Sequence, residues 1–218
     1  MHVSDAIAAR KSIRAFLDKP VSTALLEELL AGAARAPSGG NVQPWRVYVI
    51  NGPAMARFRG QMAQPADPEA PAYEIYPQGL TEPYRSSRFK VGEDMYRLLG
   101  IPRDDRPARI RRLMENYNFF GAPAAIFCFI DRQMGPPQWS DLGMFLQSFM
   151  LLATAAGLGT CAQEAWATRA ETVAKFVQSP AEQMLFCGVA IGYTDEQAAV
   201  NSLISDREPL SNFSTFID

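Results

Sequence analysis

The sequence changes from a helical to an extended pattern at Arg35-Ala36-Pro37-Ser38-Gly39-Gly40-Asn41-Val42-Gln43-Pro44-Trp45, and the fold prediction starts from this stretch. Upstream of it, leucines at positions 25, 26, 29 and 30 recur at helical spacing. Downstream, residues 47–50 are rich in β-branched side chains and predict a strand. Between the two patterns, Ser38, Asn41 and Gln43 supply more hydrogen-bonding groups than a plain connection needs. The stretch is therefore either a binding loop or an ordinary turn.

Length and composition indicate one globular domain over residues 1–218. The chain has 218 residues, of which 48% are hydrophobic and 20% charged, as in an ordinary globular protein. A net charge of −2 and a pI near 5.6 argue against nucleic acid as a partner, so we expect a small molecule. The longest apolar stretch, residues 142–156, is interrupted by polar side chains and is too short to cross a membrane.

We expect the protein to be cytoplasmic. The N-terminus lacks the basic start and the apolar run of a secretory signal. Cys128, Cys161 and Cys187 are an odd set in apolar surroundings, which is typical of reduced, structural thiols.

Apolar runs predict the centre of the scaffold. Residues 123–130 and 185–191 are nearly continuous apolar segments, as expected for strands covered on both faces. Residues 141–156 are apolar almost all round and predict a central, buried helix. Gln147 lies inside that helix and must find a partner, either a backbone group or a bound ligand.

Capping residues predict two helices near the N-terminus. Ser4 or Asp5 would cap a first short helix, and Ser22 or Thr23 would cap the helix that ends before Pro37.

Residues from about 60 to 118 are predicted to form a lid-like helical excursion from the scaffold. Their middle is rich in proline, and stretches of helical pattern flank it. Tyrosines such as Tyr76 and Tyr84, with the cations Arg85 and Arg88, suit a lid over a planar substrate. Alternatively, the aromatic side chains serve the packing of the excursion itself.

The segment Gly157-Leu158-Gly159-Thr160-Cys161-Ala162 superficially matches the dinucleotide-binding fingerprint, but it follows a helix rather than a strand. We interpret it as a helix end with Gly157 in the left-handed conformation, followed by a turn through Gln163 and Glu164. Residues 201–218 are too apolar for a free end, and a second subunit is one candidate to cover them.

A basic cluster near the N-terminus is a candidate anion site. Arg10, Lys11 and Arg14 lie close in sequence, and Ser12 adds a hydroxyl. Arginine offers a planar fork that suits phosphate, so these side chains could share an anionic ligand. The alternative is a solvated basic turn.

Several kinds of catalytic chemistry are absent from the sequence. His2 is the only histidine and is expected to lie in a mobile N-terminus, so we expect neither a Ser-His-Asp nor a Cys-His arrangement. The chain also has no cluster of histidine and cysteine ligands for zinc, and no G-x-x-x-x-G-K-[ST] phosphate loop. This absence indicates either a borrowed organic cofactor or no catalysis at all.

Four motifs, in this order and spacing, resemble the nitroreductase family of FMN-dependent enzymes. They are Arg10-Lys11-Ser12-Ile13-Arg14, Pro37-Ser38-Gly39-Gly40-Asn41-Val42-Gln43-Pro44-Trp45, Gly157-Leu158-Gly159-Thr160 and Arg207-Glu208-Pro209-Leu210. The resemblance covers nearly the whole chain. Residues 118–123, 138–143 and 161–166 are similar to the branch that reduces nitrobenzene and nitrobenzoate.

The resemblance implies an α+β fold of the nitroreductase type, with a central, mostly antiparallel sheet flanked by helices. It also implies an intertwined homodimer in which the C-terminal tail packs on the partner. Two FMN sites would lie at the interface and would be shared between the chains.

The resemblance also assigns cofactor-binding residues. In similar proteins the residues matching Arg10, Ser12 and Arg207 hold the FMN phosphate and ribityl chain, and the one matching Arg14 lies near the pyrimidine edge. Many relatives carry a second cation two places before Arg207, where this chain has Ser205. The full expected set is Arg10, Lys11, Ser12, Arg14, Gln147, Gln163, Glu164, Ala165 and Arg207 from one chain, with Pro37, Ser38, Gly39 and Asn41 from its partner.

No side chain is expected to be catalytic in its own right, because the flavin would carry the chemistry and the Glu164 backbone would lie near flavin N5. The implied reaction passes electrons from NADH or NADPH to a small nitroaromatic substrate, in ping-pong order and as far as the hydroxylamine. The alternatives are a quinone or enone reductase, a dehalogenase, or a flavin-binding module without turnover.

Overall fold

The computed structural model describes residues 1–65 and 67–217, and within them four antiparallel strands form the central sheet in the order β1-β2-β4-β3. The strands are β1 (Arg46–Asn51), β2 (Ala124–Asp131), β3 (Gly159–Gln163) and β4 (Gln183–Gly192). The register places Arg46 opposite Phe129, Ala124 opposite Ile191 and Gly159 opposite Gly192.

Helices flank the sheet on both faces. They are α1 (Val3–Ala9), α2 (Thr23–Ala33), α3 (Gly52–Met62), α4 (Tyr84–Leu98), α5 (Arg106–Met114), α6 (Pro136–Ala155) and α7 (Ala170–Val177). Short 3-10 turns occupy Gly39–Asn41, Glu115–Gly121, Glu164–Arg169, Ala199–Ser202 and Leu210–Asn212. The α+β architecture with an antiparallel sheet is thus confirmed.

Strand β2 divides the core into two layers, because successive side chains point to opposite faces of a strand. Ile126 and Cys128 pack into the layer that contains α2 and α6. Phe127 and Phe129 pack into the other layer, with Phe58 of α3 and an aromatic group around Trp166. The continuous apolar run in this segment is explained by burial on both sides.

The strands predicted at residues 47–50, 123–130 and 185–191 are confirmed, each with a shift or extension of one or two residues. The predicted left-handed Gly157 is confirmed as well, with φ of +78°. The turn predicted directly after it was wrong in part, because residues 159–163 form strand β3 and the chain turns only from Glu164 onward. Pairing with the distant β4 supplies the hydrogen bonds that make this segment a strand.

Helix α6 begins five residues earlier than predicted, at Pro136 instead of residue 141. Proline is tolerated in the first helical turn because its missing N–H would have no intrahelical partner there. The helix is also less enclosed than predicted. Phe145 and Phe149 are buried, whereas Met144 and Gln147 are exposed in the single chain.

The cap of α1 differs from the prediction, whereas the cap of α2 is confirmed. His2, not Ser4 or Asp5, is the N-cap residue, and the Asp5 carboxylate accepts a hydrogen bond from the His2 N–H at 3.2 Å. In α2, the Ser22 hydroxyl accepts a hydrogen bond from the Leu25 N–H at 3.2 Å, as predicted.

The predicted excursion contains α4 and α5, and neither helix has a buried residue. Some aromatic residues of the excursion serve packing, as the alternative to the lid interpretation predicted. Tyr73 contacts Trp139 and Phe186, and Tyr117 contacts Trp166 edge-on. The lid role of α4 and α5 remains a prediction.

The C-terminal segment extends over the surface. Phe213, Phe216 and Ile217 are 69%, 80% and 93% exposed, so the chain itself does not cover these apolar side chains. Among the described residues, no helix combines the length and the apolar character needed to span a membrane.

Candidate functional site

Residues 10–16, the N-terminal strap, cross the end of the sheet in extended conformation. The strap begins where α1 ends, at Arg10, and the Ile13 N–H donates to the Thr160 carbonyl at 2.9 Å. The Ile13 side chain is buried and anchors the strap. Arg10, Ser12 and Arg14 lie on the side of the extended chain opposite Ile13 and line a cavity, which Lys11 lines as well.

Asn201 ties the strap to the C-terminal segment. Its Oδ1 accepts from the Arg14 N–H at 2.8 Å, while its Nδ2 donates to the carbonyls of Ala15 at 2.8 Å and Asp195 at 2.9 Å. The residue is only 2% exposed. Sequence analysis missed Asn201, because nothing in its neighbourhood marks a residue whose partners lie far away along the chain.

A cavity of about 710 Å³, the basic cavity, gathers the cationic residues predicted to bind the cofactor. The predicted residues among its lining are Arg10, Lys11, Ser12, Arg14, Gln147 and Arg207. Its lining includes no aspartate or glutamate among the described residues. The structure thus unites a cluster near the N-terminus with an arginine near the C-terminus.

Arg207 is held in place by neutral groups. Its guanidinium donates to the carbonyl of Ser205 at 3.1 Å, to the Ser205 hydroxyl at 2.8 Å and to the carbonyl of Asp206 at 2.8 Å. Neither Arg207 nor Arg10 forms an ion pair with any described residue. Their positive charges are therefore available to an anionic ligand.

The donors in the basic cavity fit a phosphate ester with a polar chain. Arginine forks and a lysine ammonium suit phosphate oxygens, and the Ser12 hydroxyl and Gln147 amide can bond to hydroxyl groups. Gln147, predicted to need a backbone or ligand partner, is exposed at the cavity and is free to serve such a ligand. These residues can hold FMN by its polar end.

The loop of residues 37–43 lies apart from the basic cavity. Its shape depends on the buried Asp141, whose two carboxylate oxygens each lie 3.3 Å from the donating Gly39 N–H. The Ser38 hydroxyl accepts from the Gln43 N–H at 3.0 Å. Asn41 and Gln43 have φ of +57° and +49°, an uncommon conformation for residues other than glycine. Neither Pro37, Ser38, Gly39 nor Asn41 lines the basic cavity of the same chain.

The predicted turn of Gln163, Glu164 and Ala165 follows β3 directly. The Gln163 amide points inward. Its Nε2 donates to the backbone carbonyl of Asn116 at 2.9 Å and to the side-chain Oδ1 of Asn116 at 3.1 Å. Glu164 is exposed and Ala165 half-buried. The buried Gln163 side chain thus fixes the start of the turn from the side that faces away from solvent.

The three cysteines are free and buried, as predicted for structural thiols. Burial raises the pKa of Cys128 to about 12, and it raises the pKa values of Cys161 and Cys187 as well. Thiols in this state are protonated and poorly nucleophilic, so none of them is a candidate catalytic residue.

Comparison with known proteins agrees with the geometry. The family model described as the Nitroreductase family matches residues 7–193. The chain is 37% identical to a 4-nitrobenzoate reductase of Pseudomonas putida, over 97% of this chain and 93% of the relative. It is 35% identical to a nitrobenzene nitroreductase of Ectopseudomonas oleovorans, over 99% and 96% of the two chains.

Solved structures of nitroreductases have the same fold as this chain. The FMN- and NADPH-dependent nitroreductase NfnB from sphigopyxis sp. strain HMH superposes with a TM-score of 0.94 at 43% identity, over 100% of both chains. The FMN-dependent nitroreductase NfnB from Mycobacterium smegmatis, solved with NADPH, superposes with a TM-score of 0.91 at 28% identity, over 99% of this chain and 98% of the other. The chain has the nitroreductase fold and belongs to the nitroreductase family.

Proposed function

We propose that this protein is an FMN-dependent oxidoreductase that uses NADH or NADPH to reduce nitroaromatic compounds. The observation that carries the proposal is the basic cavity, in which Arg10, Ser12, Arg14 and Arg207 converge without a carboxylate in its lining among the described residues. The electron donor and the nitroaromatic acceptor follow from the names of the similar proteins.

In this proposal, different residues bind different parts of FMN. Arg10 and Arg207 bind the phosphate, and Lys11 adds positive charge beside it. Ser12 and Gln147 bond to the ribityl hydroxyls. Arg14 lies toward the pyrimidine edge, where a fixed cation favours the reduced, more negative cofactor. The backbone of Gln163, Glu164 and Ala165 borders the reactive edge.

Bound FMN would supply two-electron transfer from NAD(P)H to the acceptor, so the donor and the acceptor would use one site in turn, in ping-pong order. Reduction of a nitro group to the hydroxylamine takes four electrons and four protons and releases one water, so it would need two such rounds and two molecules of NAD(P)H, with the nitroso compound as the product of the first. The chain's own contribution is to bind and orient the cofactor and to tune its charge. Such a reaction needs the nicotinamide pool of the cytoplasm, which agrees with three free, buried thiols.

The proposal includes a homodimer with shared sites. Ser38 and Asn41 do not line the cavity of their own chain, although the family resemblance assigns them to the cofactor. A partner chain can supply this loop and can also cover Phe213, Phe216 and Ile217 of the exposed tail.

A mixed dimer tests the shared site. Variant A carries Arg10→Ala and Arg207→Ala, and variant B carries Ser38→Trp. In the mixed dimer, A's missing arginines and B's blocked loop fall in one site, whereas the other site is wild type. Doubly tagged dimers should therefore recover about half of the FMN content and activity, since two equivalent sites act independently. Stable mixed dimers that recover neither would contradict shared sites.

Anaerobic mixing tests the reaction itself. The purified holoprotein is reduced with NADH or NADPH while the flavin absorbance is followed, and is then mixed with 4-nitrobenzoate, nitrobenzene, a quinone, an enone or a halogenated arene. Rapid reoxidation by the nitro compounds supports the proposal, with the hydroxylamine identified by chromatography. Reoxidation by a quinone, an enone or a halogenated arene alone would favour the alternative reductases or a dehalogenase. No bleaching by either nicotinamide would indicate a flavin-binding module.

A further inference from the structure

A second cavity, the arginine pocket, adjoins the basic cavity on the lid side. Its volume is about 300 Å³, and it shares Arg14, Val91 and Leu203 with the basic cavity. Its other lining residues come mainly from α4, α5 and the turn that follows α5. The volume is at the lower end of the range of roughly 300–1,000 Å³ for small-molecule sites.

The lining of the arginine pocket is positively charged. Arg14, Arg88 and Arg112 line it, and its lining includes no carboxylate among the described residues. Two nearby carboxylates are engaged elsewhere, because Glu93 pairs with Arg109, and Asp94 pairs with both Lys90 and Arg97. Within residues 1–65 and 67–217, none of the three pocket arginines forms an ion pair.

Arg112 is the most enclosed of the three arginines. Its Nη2 donates to the Arg14 carbonyl at 3.2 Å, and its buried Nε has no hydrogen-bond partner among the described residues. Burial lowers the pKa of Arg112, and the charge of Arg14 lowers it further, although Glu115 offsets part of the effect. An unpaired, partly desolvated guanidinium next to another cation is costly, and an anion in the pocket would relieve that cost.

Aromatic rings hold two of these cations in place. The Arg88 guanidinium lies over the ring of Tyr76 at 3.8 Å from its centroid, and that of Arg112 lies 5.1 Å from the centroid of Phe120. Tyr96 also lines the pocket. A lining that combines these rings and apolar side chains such as Met95 and Leu113 with arginine forks matches an aromatic acid better than it matches inorganic phosphate.

The pocket is connected to the turn that the proposed function places beside the reactive edge of FMN. Asn116 lines the pocket, and its carbonyl and Oδ1 both accept from Gln163 Nε2. Arg14, at the other side, belongs to both cavities. A ligand in the arginine pocket would therefore lie between the strap and this turn.

We propose that the arginine pocket binds the carboxylate of an aromatic nitro acid, with Arg88 and Arg112 as the residues that select for it. The inference rests on the proposed function, because it names the acceptor class for that same site. It predicts a preference for acidic nitroarenes over neutral ones of equal size. The other source of an anion in such a site is the 2′-phosphate of NADPH, and the experiment separates the two.

The experiment compares kcat/KM for 4-nitrobenzoate with that for 4-nitrobenzamide, which has the same shape without the charge. The ratio of the two values is measured for the wild type, Arg88→Gln and Arg112→Gln. We expect the acid-to-amide ratio to fall about tenfold in each variant, because a charge-assisted contact is lost. Arg97→Gln on α4 and Arg111→Gln on α5 are matched controls, since neither residue lines the pocket and both are exposed. Their ratios should remain at the wild-type value.

Calorimetric titration of the holoprotein with benzoate and with benzamide gives a second readout that needs no turnover. Benzoate should bind more tightly than benzamide, and the difference should shrink in Arg88→Gln and Arg112→Gln. If neither nitro compound is reduced while benzoate still binds in this way, the proposed function fails and the carboxylate site stands. If both are reduced but the ratio is the same in all variants, the carboxylate site is overturned and the function stands.

Steady-state kinetics with NADPH and with NADH complete the test. A fall in the ratio of kcat/KM for NADPH to that for NADH in the two variants, with the acid-to-amide ratio unchanged, would assign the pocket to the donor's phosphate and overturn the proposal. Arg112→Gln disturbs a half-buried residue, so circular dichroism checks its fold. Arg88 is exposed, and its variant decides the question even if Arg112→Gln does not fold.

Discussion

Replacing Asn201 with alanine should both destabilise the protein and loosen its cofactor site. The change removes three hydrogen bonds of 2.8 to 2.9 Å and leaves the Arg14 N–H and the carbonyls of Ala15 and Asp195 without that partner. Each orphaned polar group costs on the order of 1–3 kcal/mol, less where water reaches it. Asn201 itself is buried, but its three hydrogen bonds are only partly buried, and the costs of neighbouring groups are not additive. We therefore expect a loss of about 2–4 kcal/mol in the free energy of unfolding.

The measurement is urea unfolding of the FMN-free protein, followed by circular dichroism. FMN affinity is measured separately by fluorescence titration without urea. Because the strap carries Arg10, Ser12 and Arg14 into the basic cavity, its displacement should raise the Kd for FMN about tenfold, equivalent to ~1.4 kcal/mol.

Asn118→Ala is the matched control, since it is the same chemical change at an exposed site whose amide donates to Glu115 at 3.4 Å. We expect it to change stability by less than about 0.5 kcal/mol. If Asn201→Ala is as stable as this control, the three hydrogen bonds do not anchor the strap. If stability falls but FMN affinity does not, Asn201 supports the fold without positioning the site.

Three further predictions concern the charges of the site and the packing beneath it. Arg207→Ala should weaken FMN binding by about 1.5–3 kcal/mol in a fluorescence titration, with an unchanged circular dichroism spectrum, and wild-type affinity would exclude Arg207 from the phosphate site. Arg14→Met should lower the flavin reduction potential, by about 30 mV if the cation contributes ~1.4 kcal/mol, and spectroelectrochemistry that shows no shift or a rise would contradict this. Gly188→Ala should cost about 1–3 kcal/mol in urea unfolding, because a Cβ there would overlap the buried indole of Trp166, and a wild-type stability would show that the indole can move away.

Strands β2 and β4 could be predicted from the sequence because burial on both faces gives an uninterrupted apolar run. Strand β3 could not, since Gly159 and Ala162 carry little strand signal of their own and Thr160 is the only β-branched residue in the segment. Its ladder depends on β4, which lies more than twenty positions away along the chain. Local pattern therefore identifies strands with their own burial signal and misses those that rely on a distant partner.

The candidate site also contains residues that the sequence identifies and residues that it does not. Arg10, Ser12, Arg14 and Arg207 could be found from the resemblance, and the structure places all four at one cavity. Asn201, which holds Arg14 from 187 positions away, has no local signature. Residues that touch a ligand recur as short motifs, whereas those that position them depend on contacts that only the fold creates.

The distribution of charge explains how a chain with a net charge of −2 can present a strongly cationic site. On α4, acidic side chains pair with neighbours on the same or the adjacent helix, as Asp94 does with Lys90 and Glu93 with Arg109. The exposed Lys90–Asp94 pair contributes little to stability, and the half-buried, bidentate Glu93–Arg109 pair contributes more, but each neutralises a carboxylate of α4. The arginines of the two cavities therefore keep their charge for an anion. A net charge of −2 argues against a nucleic-acid surface, yet it does not describe the local field that attracts a small anionic ligand.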